Sequence, residues 1–265
     1  EWSSIDFNKV TSVTLRKQKL AILNKNKRGK RRSEEEDRVQ CAENYTKHVQ
    51  KAIAGDKSAK VHGKRLDVGQ LAKDGYSYRL YSDDDDETLR QTINLQWASQ
   101  AENNKGLENV PIVAMCDTSG SMECDDGIPL NNAIGLSIRI SELCHPAFRD
   151  RILTFDAVPK WIKTSGCKDF VEKAQTVRKS AWGMNTDFHL AMDEMISALV
   201  ENNINPNDVR KMVLAVFSDM QFDCGYHNAN IFDDAYLQIK RKFAEAGMRT
   251  SWMIPYDPPH LLFWN

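Results

Sequence analysis

Two stretches, IVAMC at 112–116 and MVLAVF at 212–217, are apolar at every position. A strand with one wet face alternates apolar and polar residues, so an unbroken run requires burial on both faces. That is the situation of an interior strand in a parallel sheet covered by helices. Segments of helical periodicity separate such runs, and this alternation predicts an α/β fold. Strands are expected near 110–117, 151–157, 159–165, 211–219 and 260–264, with RTSWMIP at 249–255 as a further extended piece. Helices are expected near 129–144, 168–179, 187–202 and 232–246. The fold class is therefore a doubly wound, mostly parallel α/β sheet, whose ligands bind beyond the carboxyl ends of the strands.

Residues 1–105 have a different pattern: charge-rich and helical, they form an extension ahead of an α/β domain at 106–265, with the boundary in AENNKGLEN. Val10, Val13, Leu20 and Leu23 mark one amphipathic helix. Val39, Ala42, Val49 and Ile53 mark a second, with Ser33 as its expected N-cap and the acidic run SEEED favourably placed on its first turn. The run DDDDE at 83–87 precedes Leu89, Ile93 and Trp97 and reads as a third helix start. Between the first two helices lies the basic stretch KNKRGKRR, 25–32.

Composition narrows the function classes. With 41% hydrophobic and 28% charged residues and a formal net charge of -1, any charge-driven contact has to be local. No apolar run reaches the roughly 18 to 20 residues of a bilayer span, and no signal-peptide core is present, so an intracellular setting, cytoplasmic or nuclear, is expected. The 6 cysteines are scattered without a C-x-x-C pair and read as free thiols. Glu1 at the start and Asn265 directly after a strand-like HLLFWN give the sequence the look of a fragment.

The chemistry concentrates where strands end. Asp117 closes the first strand, and Ser119 and Ser121 follow it at alternate positions in DTSGSM; Asp219 closes another strand in VFSDMQFD; Thr186 precedes a helix in WGMNTDF. All five fall on one rim of the expected sheet. Two carboxylates about 4 Å apart repel by roughly 1 kcal/mol in water and about 4 at an effective dielectric near 20, so a cation belongs between them. Hydroxyl and carboxylate oxygens suit Mg²⁺, Mn²⁺ or Ca²⁺ far better than zinc or copper. The bland alternative is that the two aspartates cap helices and the two serines turn the chain, which explains each position separately but not their co-location.

The D-x-S-x-S pattern, with Thr186 and Asp219 in order behind it, resembles the metal-ion-dependent adhesion site of von Willebrand factor A-type domains over residues 108–265. The resemblance implies that Ser119, Ser121 and Thr186 bind the ion through hydroxyls, that Asp117 and Asp219 act directly or through water, and that a protein partner supplies an Asp or Glu. A more extended likeness, carried by IDFNKVTSVTLRK, DTSGSM, WGMNTDFHLAMD and HLLFWN, is to a von Willebrand A-like family described as a domain of unknown function, found in plants and large DNA viruses. It adds a viral or virus-infected setting to the expectations. The layout is also similar to the Ro ribonucleoprotein, where a helical RNA-binding region accompanies the A-type domain. Two departures stand out: Met220 follows Asp219 where the family has Gly, and the chain ends at the fifth strand, so the last strand and helix of the pattern are expected to be missing.

The function these residues point to is a non-enzymatic, metal-dependent interaction module. The alternative is RNA binding through Lys25, Lys27, Arg28, Lys30, Arg31 and Arg32, although no aromatic residues interleave with them and a solvated loop balanced by SEEED accounts for them as well. A metal-assisted hydrolase is a third reading, but the sequence offers no P-loop and no second-metal cluster. His189 suits a helix's first turn better than a general base. Cys124 and Cys224 read as unpaired residues before they read as a redox pair, and Asp125 and Asp126 as a solvated loop.

Overall fold

Apolar side chains recurring every three to four positions build four helices in the first hundred residues: α1 (Ser12–Ile22), α2 (Glu36–Ile53), α3 (Val68–Ser77) and α4 (Glu87–Ala101). The computed structural model describes residues 1–78, 86–104, 111–155, 158–180, 188–219 and 229–264, with the side chains of 155 and 229–235 excluded. These fall into two compact units, Glu1–Gly106 with Cys167–Gln175, and Leu107–Gly166 with Thr176–Asn265. Among the described residues no helix is long and apolar enough to cross a membrane.

In the first unit the helix starts are set by side-chain oxygens that accept otherwise orphaned backbone N–H groups. Thr11 accepts from Thr14 N, Asp67 from Gly69 N and Gln70 N, and Asp86 from Leu89 N. Ser33 does not cap α2 as expected. Its backbone is held by Asn24, whose side chain donates to Ser33 O and accepts from Ser33 N, and the helix begins three residues later at Glu36. Helix α3 was not anticipated; it has Gly69 and Gly75 inside it and places Asp74 among its buried residues. Asp74 is buried instead of solvated, and accepts from Lys19 Nζ at 2.5 Å and from Arg16 Nε at 3.0 Å, both on α1. The core of this unit includes Leu15, Ile22, Tyr45, Leu71, Leu89 and Ile93, with Tyr45 Oη and Thr92 Oγ1 2.9 Å apart inside it.

The segment Cys167–Gln175 belongs to this unit through specific contacts. Asp169 accepts from Arg90 Nε at 2.7 Å and from Asn94 Nδ2 at 2.8 Å, and Phe170 stacks on Trp97 with ring centroids 3.8 Å apart.

The second unit carries β1 (Ile112–Asp117), α5 (Cys124–Leu143), β2 (Arg151–Phe155), β3 (Trp161–Lys163), α6 (Phe170–Ser180, begun in the first unit), α7 (Phe188–Glu201), α8 (Pro206–Arg210), β4 (Val213–Phe217), α9 (Ala229–Met248) and β5 (His260–Trp264). The five strands form one sheet in the order β3-β2-β1-β4-β5, all parallel except the antiparallel β2–β3 pair. The fold class is therefore α/β with a mostly parallel sheet. Both apolar runs that demanded burial on two faces, β1 and β4, lie at its centre. Val113, Met115, Leu153, Leu214 and Val216 share one cluster with Met192, Met195 and Leu199 of α7 and Phe243 of α9. Their strand neighbours Ala114, Cys116 and Ala215 are equally buried on the opposite face, where α5 packs against β1 and β2.

The extended piece expected at 249–255 is not a strand. Arg249 N and Thr250 N bond back to Ala246 O and Gly247 O, so the chain turns over the end of α9. Gly247 makes this possible, since a Cβ there would lie 2.3 Å from Ile254 O. Tyr256 then plugs in, its hydroxyl donating to Ile204 O at 2.7 Å.

Candidate metal centre

β1 delivers Asp117 to the carboxyl end of the sheet with only 1% of its surface exposed. The register pairs Cys116 with Phe217, so Ser218 and Asp219, the residues leaving β4, run beside Asp117. Asp117 Oδ1 accepts from Ser119 N at 2.9 Å, which turns the chain away from the strand. Its Oδ2 accepts from Ser218 Oγ at 2.5 Å. Ser119 occupies the N-cap position of the short turn Gly120–Glu123 yet makes no side-chain capping bond; its Oγ lies 3.0 Å from Ser121 Oγ. The Asp117–Ser119 turn is the arrangement that the bland reading expects of these residues, and the Ser119 hydroxyl lies against that of Ser121.

Burial pushes the Asp117 carboxyl above its ordinary pKa, and the negative charge of Asp219 pushes it further the same way, against the hydrogen bonds from Ser218 and Ser119. Asp219 is therefore within electrostatic reach of Asp117. Among the described residues the hydrogen bonds that Asp117 accepts come from the Ser119 amide and the Ser218 hydroxyl. The neighbouring Thr118 hydroxyl is buried without a hydrogen-bond partner among the described residues. Cys116, also at the strand end, is a buried thiol pushed up to about 12, a packing residue and not a nucleophile.

The donor set fits a hard divalent cation: carboxylate and hydroxyl oxygens, excess negative charge and low exposure. Among the described residues no group of three or more His, Cys, Asp or Glu side chains is placed to hold a metal. Asp117, Ser119, Ser121 and Asp219 come together there; Thr186, expected as a further hydroxyl ligand, lies outside the described residues. Ser218 was not anticipated. Its only sequence signal is its place directly after an apolar strand and before Asp219.

Cys124 is exposed and Cys224 lies outside the described residues. Asp125 and Asp126 are exposed, and with Gly127 they take left-handed φ values of 49, 58 and 73° as the chain kinks into α5. His189 is half-buried in the first turn of α7. The basic run forms a short hairpin in the first unit. There Lys25 does not face solvent freely: its Nζ lies 2.5 Å from Asp86 Oδ2, whereas Lys27, Arg28, Lys30, Arg31 and Arg32 are exposed.

The profile of a domain of unknown function, DUF7788, matches residues 111–265, the whole of the sheet and the rim just described. The chain belongs to the DUF7788 family. A relative of this DUF7788 protein is "Uncharacterized protein L728" of Acanthamoeba polyphaga mimivirus, 28% identical over 271 aligned residues. The alignment covers 100% of the DUF7788 chain and 42% of the viral protein, so the chain spans less than half the length of that relative. No solved structure matches it.

Proposed function

We propose that this protein is a non-enzymatic interaction module of von Willebrand A type, which holds Mg²⁺, Mn²⁺ or Ca²⁺ at the rim of its sheet and uses it to bind an acidic group of a protein partner. The observation that carries this reading is the buried Asp117 carboxylate, set beside Asp219 and next to a serine pair whose hydroxyls face each other instead of capping a helix. A buried carboxylate without a cation is costly, and its neighbours lower that cost only in part. The sheet order, with the site at the ends of its two central strands, supports the reading.

In this scheme Asp117, Ser119, Ser121, Asp219 and Thr186 are the residues that would hold the ion, and Ser218 and Ser119 N orient Asp117 toward it. The ion would supply a positive centre that accepts a carboxylate oxygen. The chain's own contribution is to keep one carboxylate dry and oriented. An array of aspartate- and glutamate-containing peptides, probed with labelled protein in Mg²⁺ and again in chelator, tests this. Binding that needs the ion and is lost in Asp117→Asn is the expected outcome; binding indifferent to chelation rejects the reading.

A further inference from the structure

Residues 24–33 form a compact, basic hairpin in the first unit. Their backbone closes a short antiparallel ribbon: Asn26 N donates to Lys30 O at 2.8 Å, Arg32 N to Asn24 O at 2.8 Å, and Lys25 and Arg31 form a bridge between them. The tip is fixed by Asn26, whose Oδ1 accepts from both Arg28 N and Lys30 N, and by Gly29 at φ 75°. The base is fixed twice, by the Asn24 side chain on Ser33 and by Lys25 on the buried Asp86.

What the scaffold presents is positive charge. Lys27, Arg28, Lys30, Arg31 and Arg32 are exposed, and only Arg31 has an ion pair among the described residues, an exposed one with Glu34. Residues 1–106 hold 21 Lys and Arg against 16 Asp and Glu, and the rest of the chain holds 15 against 21, so the ribbon sits in the basic part of a nearly neutral protein. No aromatic residue occurs in 24–33. Single strands are gripped by base stacking on aromatic rings, which this element cannot provide. The major groove of B-form DNA admits a two-stranded ribbon, whereas that of A-form RNA is too narrow for side chains to read.

We propose that the hairpin at residues 24–33 is a docking site for duplex DNA, seating its ribbon in the major groove with Lys27, Arg28, Lys30, Arg31 and Arg32 on the phosphates. Binding is independent of sequence, because none of the contacts reads a base by necessity.

Fluorescence anisotropy of a labelled DNA duplex titrated with the full chain across a salt series tests this. The expected dissociation constant is about 10⁻⁶ to 10⁻⁴ M near physiological salt, with a slope of log K on log salt of about −4 from four to five phosphate contacts. Lys27→Glu/Arg28→Glu/Lys30→Glu is expected to weaken binding by at least about tenfold and to flatten the slope by about 2.7, three contacts' worth. The triple glutamine variant at these positions should fall between, which keeps the test valid should the reversal disturb the fold. Lys211→Glu/Lys240→Glu/Arg241→Glu, exposed residues of the other unit with the same change in net charge, should stay within about twofold of wild type. Equal weakening by both triples overturns the proposal. So does tighter binding of single-stranded RNA, duplex RNA or a polyglutamate peptide of matched length.

Discussion

Ser218 Oγ donates to Asp117 Oδ2 at 2.5 Å, tying the ends of two adjacent parallel strands together through a carboxylate that water barely reaches. The bond orients the group that is proposed to hold the cation, so its loss should affect both stability and ion affinity. Ser218→Ala leaves a buried charged acceptor short of one donor, at a cost of about 1.5 to 3 kcal/mol. Urea denaturation in chelator should show that loss. Titration with Mn²⁺ should show weaker binding, with Ser218→Thr recovering both.

Asp117 also gives the metal-free protein a defined pH dependence. Its folded pKa is raised above the ordinary value of 3.8, by burial first and then by Asp219. Between the ordinary and the raised value the folded state holds more protons than the unfolded one, so this group's contribution falls as pH rises through that window and the penalty is complete above it. Asp117→Asn removes the penalty. In chelator the variant should gain stability relative to wild type as pH rises above the ordinary carboxylate value, read from thermal midpoints. Millimolar Mg²⁺ should raise the wild-type midpoint at neutral pH and leave the variant unmoved.

The β1 and β4 strands, the parallel sheet and the Asp117–Ser119–Ser121 turn were legible in the sequence, because unbroken apolar runs ending in oxygen-bearing loops have few other solutions. Ser218 was not, since a serine after a strand carries no signal until the register places it beside Asp117. Helix α3 stayed hidden because Asp74 looked like a surface acid, and only the approach of Lys19 and Arg16 reveals why it is inside. The extended piece expected at 249–255 failed for a related reason: Trp252, Met253 and Ile254 have the composition of an extended segment, but all three are exposed and the chain folds back where Gly247 lets it pass. Composition registers what a residue prefers, whereas these outcomes depend on partners distant in the chain.

The buried cluster of Asp74 with Lys19 and Arg16 makes a further expectation. Burial pulls the Lys19 pKa down, and Asp74 opposes that pull by charge and hydrogen bond. Asp74→Asn strands two cations in a place with little water, and breaking a buried pair in this way costs about 3 to 5 kcal/mol. Lys19→Met with Asp74→Leu should recover part of the loss in equilibrium unfolding, since the apolar pair has no charge to desolvate.

The Trp97–Phe170 stack holds residues 167–175 in the first unit. Trp97→Ala should destabilise the protein by about 3 to 5 kcal/mol, as for other large buried aromatics. Amide exchange should show lost protection at 170–175 as well as in α4. A loss of protection confined to α4 would mean that the segment does not rely on this contact.

The most direct measurement is isothermal titration of Mg²⁺ and Mn²⁺ into wild type, Asp117→Asn and Asp219→Asn, with near-UV circular dichroism confirming that each is folded. The account predicts one saturable site in the wild type and at least a tenfold loss of affinity, about 1.4 kcal/mol or more, in each variant. Equal affinity in all three proteins, or no binding in the wild type at millimolar ion, would contradict it.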